Sequence, residues 1–442
     1  MDEHVSLRGK KAAYLTLGCK LNFAETASLA ERLRGEGVQT AGKGEVADLC
    51  IVNTCSVTEV ADAKSRQAIR RMVRLHPGAC VVVTGCYAQL KPKEIAMIEG
   101  VSLVVGTERK AQIVELIEEC LSKNKPEDKM KTMLETTQPA EIRSFVPSCA
   151  CGNRTRYFLK VQDGCDYFCT YCTIPFARGR SRNGSVSSLV RQAQAMASCG
   201  AKEIVLTGVN IGDFGKTTGE RFVDLVRQLD TVEGIARYRI SSIEPDLLTD
   251  EIVQVCAASC SFMPHFHLPL QSGADEVLRL MRRHYDADLF RSKVNLIREL
   301  MPDAFVGVDV IVGTRGETSA LFEQSLKVME ELPVSQFHVF SYSERPGTAA
   351  LRIPHRVSAQ EKHERSQRVL ALSEQKTRAF YEKYIGTVRP VLLEHGPRRN
   401  VRTGFTDNYI KVEVRSELDN EIVSVRLDGW NEQKTMLRGT VV

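Results

Sequence analysis

The feature that most constrains the fold is a regular alternation of short apolar runs with segments of helical periodicity. In the first part of the chain the apolar runs lie at residues 12–17, 49–53, 80–84 and 103–105, and the helical segments at 24–34, 59–75 and 93–99. Strands separated by helices pair in parallel, because a parallel connection needs a crossover long enough to hold a helix. The sequence therefore predicts a parallel βα sheet domain over residues 9–121.

A second series of six apolar runs begins after residue 154. The runs lie at residues 158–162, 203–207, 238–242, 265–270, 305–312 and 336–342, and helical segments lie at 189–197, 222–229 and 250–258. Six βα repeats are an incomplete version of the eight-fold barrel, which keeps its chemistry at the carboxyl ends of its strands. We therefore predict a partial (βα)6 barrel over residues 151–380, closed by a long charged helix at 359–383.

Two further segments do not follow the βα alternation. Residues 122–150 are polar and have no clear period, which is typical of a linker. Residues 381–442 contain four short β runs separated by turn residues, at 388–393, 409–414, 422–427 and 437–441. Such a pattern predicts a small β-barrel, so the expected fold class is α/β with a C-terminal small β-barrel.

The composition of the chain limits which cellular compartment and which binding partners are expected. The chain starts with acidic residues before any apolar stretch and has no apolar run near the ~20 residues of a membrane span, so we expect a cytoplasmic protein without a membrane partner. In a reducing compartment its 14 cysteines are candidates for metal ligation or catalysis rather than for disulfides. A net charge of +5 permits a nucleic-acid partner but does not establish one.

The strongest chemical signal is the C-x3-C-x2-C pattern of Cys165, Cys169 and Cys172, which follows the first barrel strand. Three thiolates can hold three irons of a cubane cluster and leave the fourth iron open. An open iron can chelate the amino and carboxylate groups of S-adenosylmethionine beside a source of electrons. The alternative is a zinc knuckle or three structural thiols, but zinc needs a fourth Cys or His nearby, and the following residues 173–185 contain neither.

A second group of cysteines is dispersed along the N-terminal region. Cys19, Cys55 and Cys86 each follow a predicted strand immediately, and the carboxyl ends of parallel strands share one crevice. The three thiols could therefore converge on a second cluster, or they could be unrelated buried thiols. Six other cysteines fit the buried-thiol interpretation well: Cys50, Cys80, Cys120, Cys199, Cys256 and Cys260.

Several motifs together resemble the radical S-adenosylmethionine methylthiotransferase family. They are Gly18-Cys19-Lys20-Leu21-Asn22, Asn53-Thr54-Cys55, Gly85-Cys86, Gly164-Cys165 through Pro175, Arg178-Gly179-Arg180-Ser181-Arg182, Leu268 through Gly273, and Tyr342 through Thr348. The resemblance implies an N-terminal methylthiotransferase domain, a radical barrel and a C-terminal TRAM domain. It also implies two 4Fe-4S clusters, with Cys19, Cys55 and Cys86 as the ligands of one and Cys165, Cys169 and Cys172 as those of the other.

The first of these motifs distinguishes branches within the family. The Gly-Cys-Lys-x-Asn form resembles enzymes that act on N(6)-threonylcarbamoyladenosine in tRNA, whereas the isopentenyladenosine branch typically shows Gly-Cys-Gln-Met-Asn and the ribosomal-protein branch Gly-Cys-Pro-Lys-Asn. Residues 337–343 and 241–245 also resemble the threonylcarbamoyl branch. One departure is Thr314-Arg315, where the family usually has Phe-Pro.

The resemblance implies methylthiolation of carbon 2 of N(6)-threonylcarbamoyladenosine beside the anticodon. Two molecules of S-adenosylmethionine would be used, one as methyl donor and one as radical source, with an electron donor such as flavodoxin or ferredoxin. The alternatives are methylthiolation of isopentenyladenosine tRNA or of a ribosomal protein, and more remotely a non-catalytic iron–sulfur electron carrier with an RNA-binding tail.

Candidate contacts to S-adenosylmethionine lie where successive barrel strands end. Gly208 and Gly313 could let the backbone approach a ligand, and Asn210 and Ser242 could hydrogen-bond its ribose or amino-acid part. The alternative is that these residues only turn the chain.

Candidate RNA contacts fall in three basic groups, and each could equally be a solvated surface. The groups are Arg66, Arg70 and Arg74; Arg178, Arg180 and Arg182; and Arg398, Arg399, Arg402, Lys411 and Arg415. Arg178 and Arg345 are the candidates to bind the threonyl carboxylate, with a structural salt bridge as the alternative for each. Cys149 and Cys151 are predicted to bind no cluster, because both triads are complete without them.

Overall fold

The computed structural model describes residues 6–123, 132–148, 155–394 and 400–442. Its first part is a six-stranded parallel sheet in the order β2-β1-β3-β4-β5-β6. The strands are β1 (Lys11–Thr16), β2 (Gln39–Thr40), β3 (Leu49–Thr54), β4 (Cys80–Gly85), β5 (Val101–Val105) and β6 (Met133–Glu135). The helices are α1 (Lys20–Gly35), α2 (Glu59–Leu75), α3 (Cys86–Leu90), α4 (Pro92–Ala96) and α5 (Ile113–Lys123). All residues of β3, β4 and β5 are buried, as expected when helices cover both faces of a parallel sheet.

The linker interpretation is wrong for the short strand β6. This strand pairs in parallel with β5, with Met133 opposite Leu103. The hydroxyl of Thr132 donates to the carbonyl of Val101 at 2.8 Å and fixes the strand at the edge of the sheet. Three residues, none of them buried, are too few to show a period, and for this reason the pattern of the sequence did not reveal the strand. A 3-10 helix follows at Pro139–Glu141.

The central part is the partial barrel that the sequence predicts. Six parallel strands follow one another in space: β7 (Arg156–Lys160), β10 (Glu203–Thr207), β11 (Arg237–Ile240), β12 (His265–Gln271), β13 (Phe305–Val312) and β14 (Gln336–Ser341). Parallel bridges at Tyr238–Phe262 and Ser242–His267 join the half that contains β11 to the half that contains β12. A short antiparallel pair, β8 (Gln162–Asp163) and β9 (Arg182–Asn183), flanks the end of β7.

Helices cover the outer face of this barrel. They are α7 (Val186–Ser198), α8 (Phe222–Asp230), α9 (Asp250–Ala258), α10 (Asp275–Leu280), α11 (Ala287–Leu300), α12 (Ser319–Glu331) and α13 (Ala359–Glu382), with 3-10 turns at Ile211–Asp213 and Ala349–Arg352. The short helix α6 (Ile174–Arg178) instead contacts α3 of the N-terminal part, in which a further 3-10 turn, Glu108–Gln112, directly precedes α5. Ser358 caps α13 in a capping box with Glu361, which gives this long charged helix a defined start. Among the described residues, no helix is both long and apolar enough to cross a membrane.

The C-terminal part is a closed barrel of five strands in the order β15-β16-β17-β19-β18. The strands are β15 (Val388–Leu393), β16 (Arg402–Thr406), β17 (Lys411–Val414), β18 (Ile422–Trp430) and β19 (Leu437–Val441). The sequence predicts four of them and misses β16. That strand contains Gly404, which has low strand propensity but is needed there, because a Cβ would lie 2.2 Å from the carbonyl oxygen of Leu392.

The small barrel packs against the amino ends of the central strands. Arg237 donates to the carbonyls of Phe405 and Pro390 at 2.9 and 2.8 Å. Arg239 likewise donates to the carbonyl of Asp407 at 2.9 Å. The small barrel therefore does not cover the carboxyl ends of the central strands, and these ends face the N-terminal sheet.

Candidate functional site

The C-x3-C-x2-C segment forms a loop between β8 and α6. The amide of Cys172 donates to the carbonyl of Cys169 at 3.0 Å, so the segment turns tightly on itself. Gly164 precedes Cys165 at φ +75°, and a Cβ there would lie 2.0 Å from the carbonyl oxygen of Arg180. Only glycine permits this approach of the loop to the chain at Arg180.

The three sulfurs of this loop share one environment. Burial, together with a smaller contribution from negative charge on Cys169, raises the pKa of Cys172 to about 12. Burial also raises the pKa of Cys165, and charge on Cys172 and Cys169 adds to the rise. All three cysteines lie in one tight loop, residues 165–172, as the ligands of a cluster with this spacing do.

Each sulfur also receives a hydrogen bond. The amide of Tyr167 donates to Cys165 Sγ at 3.5 Å, and the amide of Ile174 donates to Cys172 Sγ at 3.4 Å. Arg283 Nη1 donates to Cys169 Sγ at 3.1 Å. Donors of this kind favour the thiolate over the thiol, which is the form that binds iron.

Arg283 is a site residue that no pattern in the sequence predicts. Its guanidinium is paired with Glu244 and lies 4.9 Å from the ring centre of Tyr285. Burial raises the pKa of Glu244 to about 7, although Arg283 acts in the opposite direction. Arg283 lies 111 positions beyond Cys172 (283 − 172) in an exposed-looking run of cations, and no pattern in the sequence connects it to the loop.

The three dispersed cysteines of the N-terminal sheet also converge. Cys19 is the N-cap of α1, Cys55 follows β3, and Cys86 begins α3 directly after β4. A Cβ on Gly18 would lie 2.9 Å from Cys55 Cβ, so the loop that carries Cys19 touches Cys55. Burial, together with smaller contributions from the charges of Cys86 and Cys19, raises the pKa of Cys55 to about 11. The placement at the carboxyl ends of β1, β3 and β4 is the one predicted from the parallel sheet.

The donor sets fit clusters better than single metal ions. Among the described ranges, no group of three or more His, Cys, Asp or Glu side chains lies close enough together to hold one ion. A cubane cluster binds each thiolate to a different iron and therefore needs wider spacing than a single ion does. Each of the two sets offers three thiols just beyond the ends of strands, which are the donors that such a cluster binds.

A buried charge network joins the two cysteine sites. Glu25 on α1 accepts from Arg178 Nη1 at 3.0 Å, from Lys160 Nζ at 3.0 Å and from Lys110 Nζ at 2.6 Å. Asp163 accepts from Arg178 at 2.9 Å and from Lys160 at 2.7 Å. Burial alone would raise the pKa of Glu25, but the surrounding cations outweigh it and hold this pKa well below its ordinary value. Glu25 is therefore ionised and fixes the N-terminal sheet to the barrel.

The residues predicted to contact S-adenosylmethionine have different surroundings. Asn210 is buried, and neither its amide oxygen nor its amide nitrogen has a hydrogen-bond partner among the described residues. Such an orphaned side chain at the end of β10 fits a polar ligand. Ser242 is half-buried beside His267.

Gly208 and Gly313, which were also predicted to contact S-adenosylmethionine, lie where the fold leaves no room for a larger side chain. A Cβ on Gly208 would lie 2.9 Å from Gln162 Oε1, and one on Gly313 (φ +74°) would lie 2.3 Å from Lys362 Cγ. Gln162 accepts hydrogen bonds from the amides of Val209 and Asn210 at 2.9 Å each. Gln162 thus shapes the loop that carries Asn210, a role that the sequence pattern did not show.

Arg178 and Arg345, the two candidates to bind the threonyl carboxylate, both form salt bridges within the protein, which was the alternative for each. Arg178 is 2% exposed and is held by Glu25 and Asp163. Arg345 is 4% exposed and pairs with Asp62 at 2.8 Å. Their charges are neutralised within the protein. Arg315, at the departure from the family pattern, pairs with Glu344 at 2.8 Å and donates to the carbonyl of Ile353, so this loop has its own internal support.

The candidate RNA contacts divide into exposed and buried cations. Arg182 is buried and pairs with Asp163 at 3.2 Å, so neither it nor Arg178 is available to RNA, whereas Arg180 is exposed. Arg70 and Arg74 are exposed on α2, while Arg66 donates to the hydroxyl of Tyr87 at 3.0 Å. In the C-terminal barrel the positions differ in the same way: Arg402 is buried, Lys411 is half-buried and Arg415 is exposed.

The remaining cysteines fit the buried-thiol interpretation in part. Cys50, Cys80, Cys120 and Cys256 are buried, but Cys199 and Cys260 are exposed, since both lie at the ends of helices. Cys149, Cys151, Arg398 and Arg399 lie outside the described residues.

Comparison with known proteins places the chain in a family. Residues 11–106 match the family described as uncharacterized protein family UPF0004, and residues 159–329 match the radical SAM superfamily. The chain is 38% identical over 423 residues to the threonylcarbamoyladenosine tRNA methylthiotransferase MtaB of Bacillus subtilis, covering 94% of this chain and 93% of that protein. It is 32% identical over 409 residues to the tRNA-2-methylthio-N(6)-dimethylallyladenosine synthase of Desulfotalea psychrophila, covering 89% and 90%.

A solved structure supports the fold. The radical S-adenosylmethionine methyltransferase TsrM from Kitasatospora setae superposes with a TM-score of 0.57 at 15% sequence identity, covering 77% of each chain. At this identity the likeness concerns the fold alone. The near full-length similarity to MtaB and the match to the radical SAM superfamily show that the chain belongs to the radical SAM methylthiotransferase family that modifies tRNA.

Proposed function

We propose that the protein transfers a methylthio group to carbon 2 of N(6)-threonylcarbamoyladenosine beside the anticodon of tRNA. The observation that carries the proposal is the convergence of two cysteine triads, one at the carboxyl ends of β1, β3 and β4 and one in the loop after β8. The greater identity to MtaB than to the dimethylallyladenosine synthase supports the threonylcarbamoyl substrate.

In this proposal each triad holds one 4Fe-4S cluster. Cys19, Cys55 and Cys86 serve the N-terminal domain, residues 9–121, and Cys165, Cys169 and Cys172 serve the radical barrel, residues 151–380. When bound, the clusters supply the electron that cleaves S-adenosylmethionine and an open iron for the sulfur that is transferred.

The contributions of the protein are binding and positioning. Arg283 and the amides of Tyr167 and Ile174 stabilise the barrel thiolates, as their hydrogen bonds to the sulfurs indicate. Asn210, whose amide has no described partner, binds a polar part of S-adenosylmethionine, and Gln162 holds the loop of Asn210 in place. Glu25 and Arg178 keep the two domains at a constant separation.

The partners follow from this chemistry. The substrate is the anticodon stem-loop, where an adenosine can be turned out of the stack into the space between the two triads. A small electron donor such as flavodoxin or ferredoxin supplies the reducing electron, and the cytoplasm is the compartment where tRNA and thiolate ligands coexist. Residues 381–442, as a TRAM domain, contribute RNA contacts, with Arg415 exposed on their surface.

The test is methylthiolation by the anaerobically reconstituted enzyme with three tRNA substrates. One carries threonylcarbamoyladenosine, one isopentenyladenosine and one unmodified adenosine at the same position, and the products are identified by mass spectrometry of nucleosides. The expected result is methylthiolation of the first alone. Reaction of the isopentenyl substrate alone, or equal reaction of all three, would contradict the substrate assignment and leave the family chemistry intact.

A further inference from the structure

The segment of residues 279–284, named the α10 segment, contains the end of helix α10 and the turn that follows it. It lies along the loop that carries the three barrel cysteines. The amide of Thr170 in that loop donates to the carbonyl of Met281 at 3.1 Å. Arg283 Nη1 donates to Cys169 Sγ at 3.1 Å. The α10 segment therefore covers part of the cysteine loop and is one hydrogen bond away from a sulfur of the cluster site.

The α10 segment presents positive charge to solvent. The side chains of Arg279 and Arg282 are exposed, and neither has a hydrogen bond or an ion pair with any residue that the structure describes. No acidic residue lies between Glu276 and Asp286 in the sequence, so no carboxylate within the segment offsets these charges. Cations left free in this way produce a local positive potential that attracts an acidic partner.

Arg282 is held in an unusual backbone conformation. Its φ is +58°, in the left-handed region that long side chains rarely adopt. Directly after it, Arg283 binds the Cys169 sulfur. The ring of His284 stacks on Tyr167 of the cysteine loop, with ring centres 4.1 Å apart. Residues in such a conformation persist where their surroundings fix them, and they cluster at functional sites. The contacts of its neighbours with the loop thus hold Arg282 at the surface beside the cluster site.

The N-terminal part contacts the cysteine loop from another direction. Thr107 Oγ1 donates to the carbonyl of Ala177 at 2.7 Å, and Glu25 pairs with Arg178. These contacts fall on α6, which follows the last cysteine. Among the described residues, no hydrogen bond or ion pair joins residues 275–286 to the N-terminal part. Since the substrate base must lie between the two triads, RNA bound there leaves the α10 segment accessible to a second macromolecule.

We propose that the α10 segment is the docking site for the protein that supplies the reducing electron, and that this partner presents an acidic face. The proposal deepens the proposed function and rests on it, because the cluster held by the barrel cysteines is the electron acceptor. In the transfer the donor is oxidised by one electron and the cluster is reduced by one, and no bond forms or breaks between the two proteins.

The surface suits such a partner in charge and in size. Arg279 and Arg282 attract an acidic face, and complementary charge of this kind speeds encounter and fixes orientation. Arg283 links the same segment to the Cys169 sulfur, so a donor that docks there is close to the cluster site. Interfaces between electron-transfer proteins are small and weak, as a patch of a few cations would provide.

The test is binding of a flavodoxin to the reconstituted enzyme, measured anaerobically by isothermal titration calorimetry at low salt. The patch variant combines Arg279→Glu with Arg282→Glu, and its Kd for flavodoxin should rise about tenfold or more, because like charges then face each other. Arg282→Lys keeps the charge and should keep the Kd within about twofold. The matched control combines Arg191→Glu with Lys43→Glu, at exposed positions of α7 and of the turn after β2, and should also stay within about twofold.

A second measurement separates docking from damage to the cluster site. Formation of 5′-deoxyadenosine from S-adenosylmethionine is followed with reduced flavodoxin and, separately, with dithionite, a small reductant that needs no docking site. The patch variant should lose about tenfold of the rate with flavodoxin, keep the rate with dithionite and retain about eight irons per chain. A purely structural role of the two arginines would change both rates together.

Three results would overturn the docking site. One is an unchanged Kd and rate with flavodoxin in the patch variant, and another is an equal loss of rate with both reductants. The third is weaker binding of the anticodon stem-loop with flavodoxin binding unaffected, which would assign these cations to RNA. All three leave the proposed function untouched, because methylthiolation of the modified tRNA by the wild-type enzyme with dithionite tests it separately. A wild-type enzyme that cleaves S-adenosylmethionine but forms no methylthiolated nucleoside would contradict the proposed function and not the docking site.

Discussion

The carboxylate of Glu25 and the guanidinium of Arg178 meet 3.0 Å apart across the boundary between the N-terminal sheet and the barrel. Glu25 lies six residues after Cys19 (25 − 19), and Arg178 lies six residues after Cys172 (178 − 172). Each partner therefore belongs to the helix that follows one of the two cysteine sites. This contact, with the pair of Glu25 and Lys160 beside it, ties the positions of the two triads to each other.

Replacement of Glu25 by Gln is expected to destabilise the protein strongly. It removes the anion that compensates Arg178, Lys160 and Lys110, and breaking a buried ion pair costs about 3 kcal/mol. Because the unfolding entropy is about 2.1 cal/mol/K per residue, this loss should lower the midpoint of thermal unfolding of the 442-residue protein by about 3 °C or more. The control is Glu323→Gln, whose pair with Arg368 is exposed, and it should shift the midpoint by less than about 1 °C.

The pH dependence of the Glu25 effect has a defined sign. The pKa of Glu25 is depressed in the folded protein, whereas an unfolded glutamate titrates near about pH 4.3. Its stabilising contribution is therefore complete above about pH 4.5 and is lost as the pH falls through the folded pKa. The difference in unfolding midpoint between wild type and Glu25→Gln should stay constant from about pH 5 to 8. A difference that changes steeply within that range would contradict the assignment of Glu25 as the central anion.

The contrast between Cys55 and Glu25 shows what the sequence reveals and what it does not. Cys55 could be placed because strand, turn and cysteine are adjacent in the chain, and parallel strands bring such positions together. Glu25 and Arg178 are ordinary charged residues in helical patterns, and only the docking of the two domains makes them partners. The same holds for Arg283, whose bond to Cys169 depends on where α10 ends.

The strands that the sequence does not predict are those with a weak local pattern of apolar residues. The strand β6 has three residues, and β16 has a glycine in its middle, so neither shows the period of a strand. The pairing of both depends on a neighbouring strand that supplies a free edge, a tertiary effect that outweighs local propensity. The longer strands β3, β4 and β13, which are apolar over most of their length, were all predicted.

The barrel triad is expected to account for half of the iron. Two clusters correspond to about eight irons per chain, and Cys165→Ala, Cys169→Ala and Cys172→Ala together should leave about four. The variant should produce no 5′-deoxyadenosine from S-adenosylmethionine under reducing conditions. Formation of 5′-deoxyadenosine by this variant would show that the radical does not originate at the barrel loop.

The N-terminal triad is expected to be needed for sulfur transfer but not for radical formation. The combined change of Cys19, Cys55 and Cys86 to Ala should retain cleavage of S-adenosylmethionine, because the barrel loop is untouched. Methylthiolated nucleoside should be absent from the tRNA product, and iron should fall to about four per chain. Methylthio product from this variant would exclude these three thiols from the reaction.

Gly164 is expected to be essential for the shape of the cysteine loop. In Gly164→Ala the left-handed backbone costs about 1–2 kcal/mol, and the added methyl overlaps the carbonyl of Arg180 at 2.0 Å. The loop must move, so iron bound per chain should fall to about four. Gly219→Ala is the matched control, because Gly219 has a similar φ of +76° with nothing within 4 Å of its Cβ position. Equal iron content in both variants would indicate that the loop tolerates displacement.

The exposed arginines of α2 are expected to contact the phosphates of the anticodon arm. Arg70, Arg71 and Arg74 are exposed on the helix that starts just after Cys55, whereas Arg66 is held by Tyr87. Each cation that neutralises a phosphate releases a counterion, so the salt dependence of binding reports their number. Replacing the three by Gln should lower the slope of log affinity against log salt by about 2 and weaken modified and unmodified RNA equally. Arg191→Gln, an exposed arginine of α7, serves as the control and should leave the slope unchanged. An unchanged slope in the triple variant would assign these arginines to a solvated surface and place the phosphate contacts elsewhere.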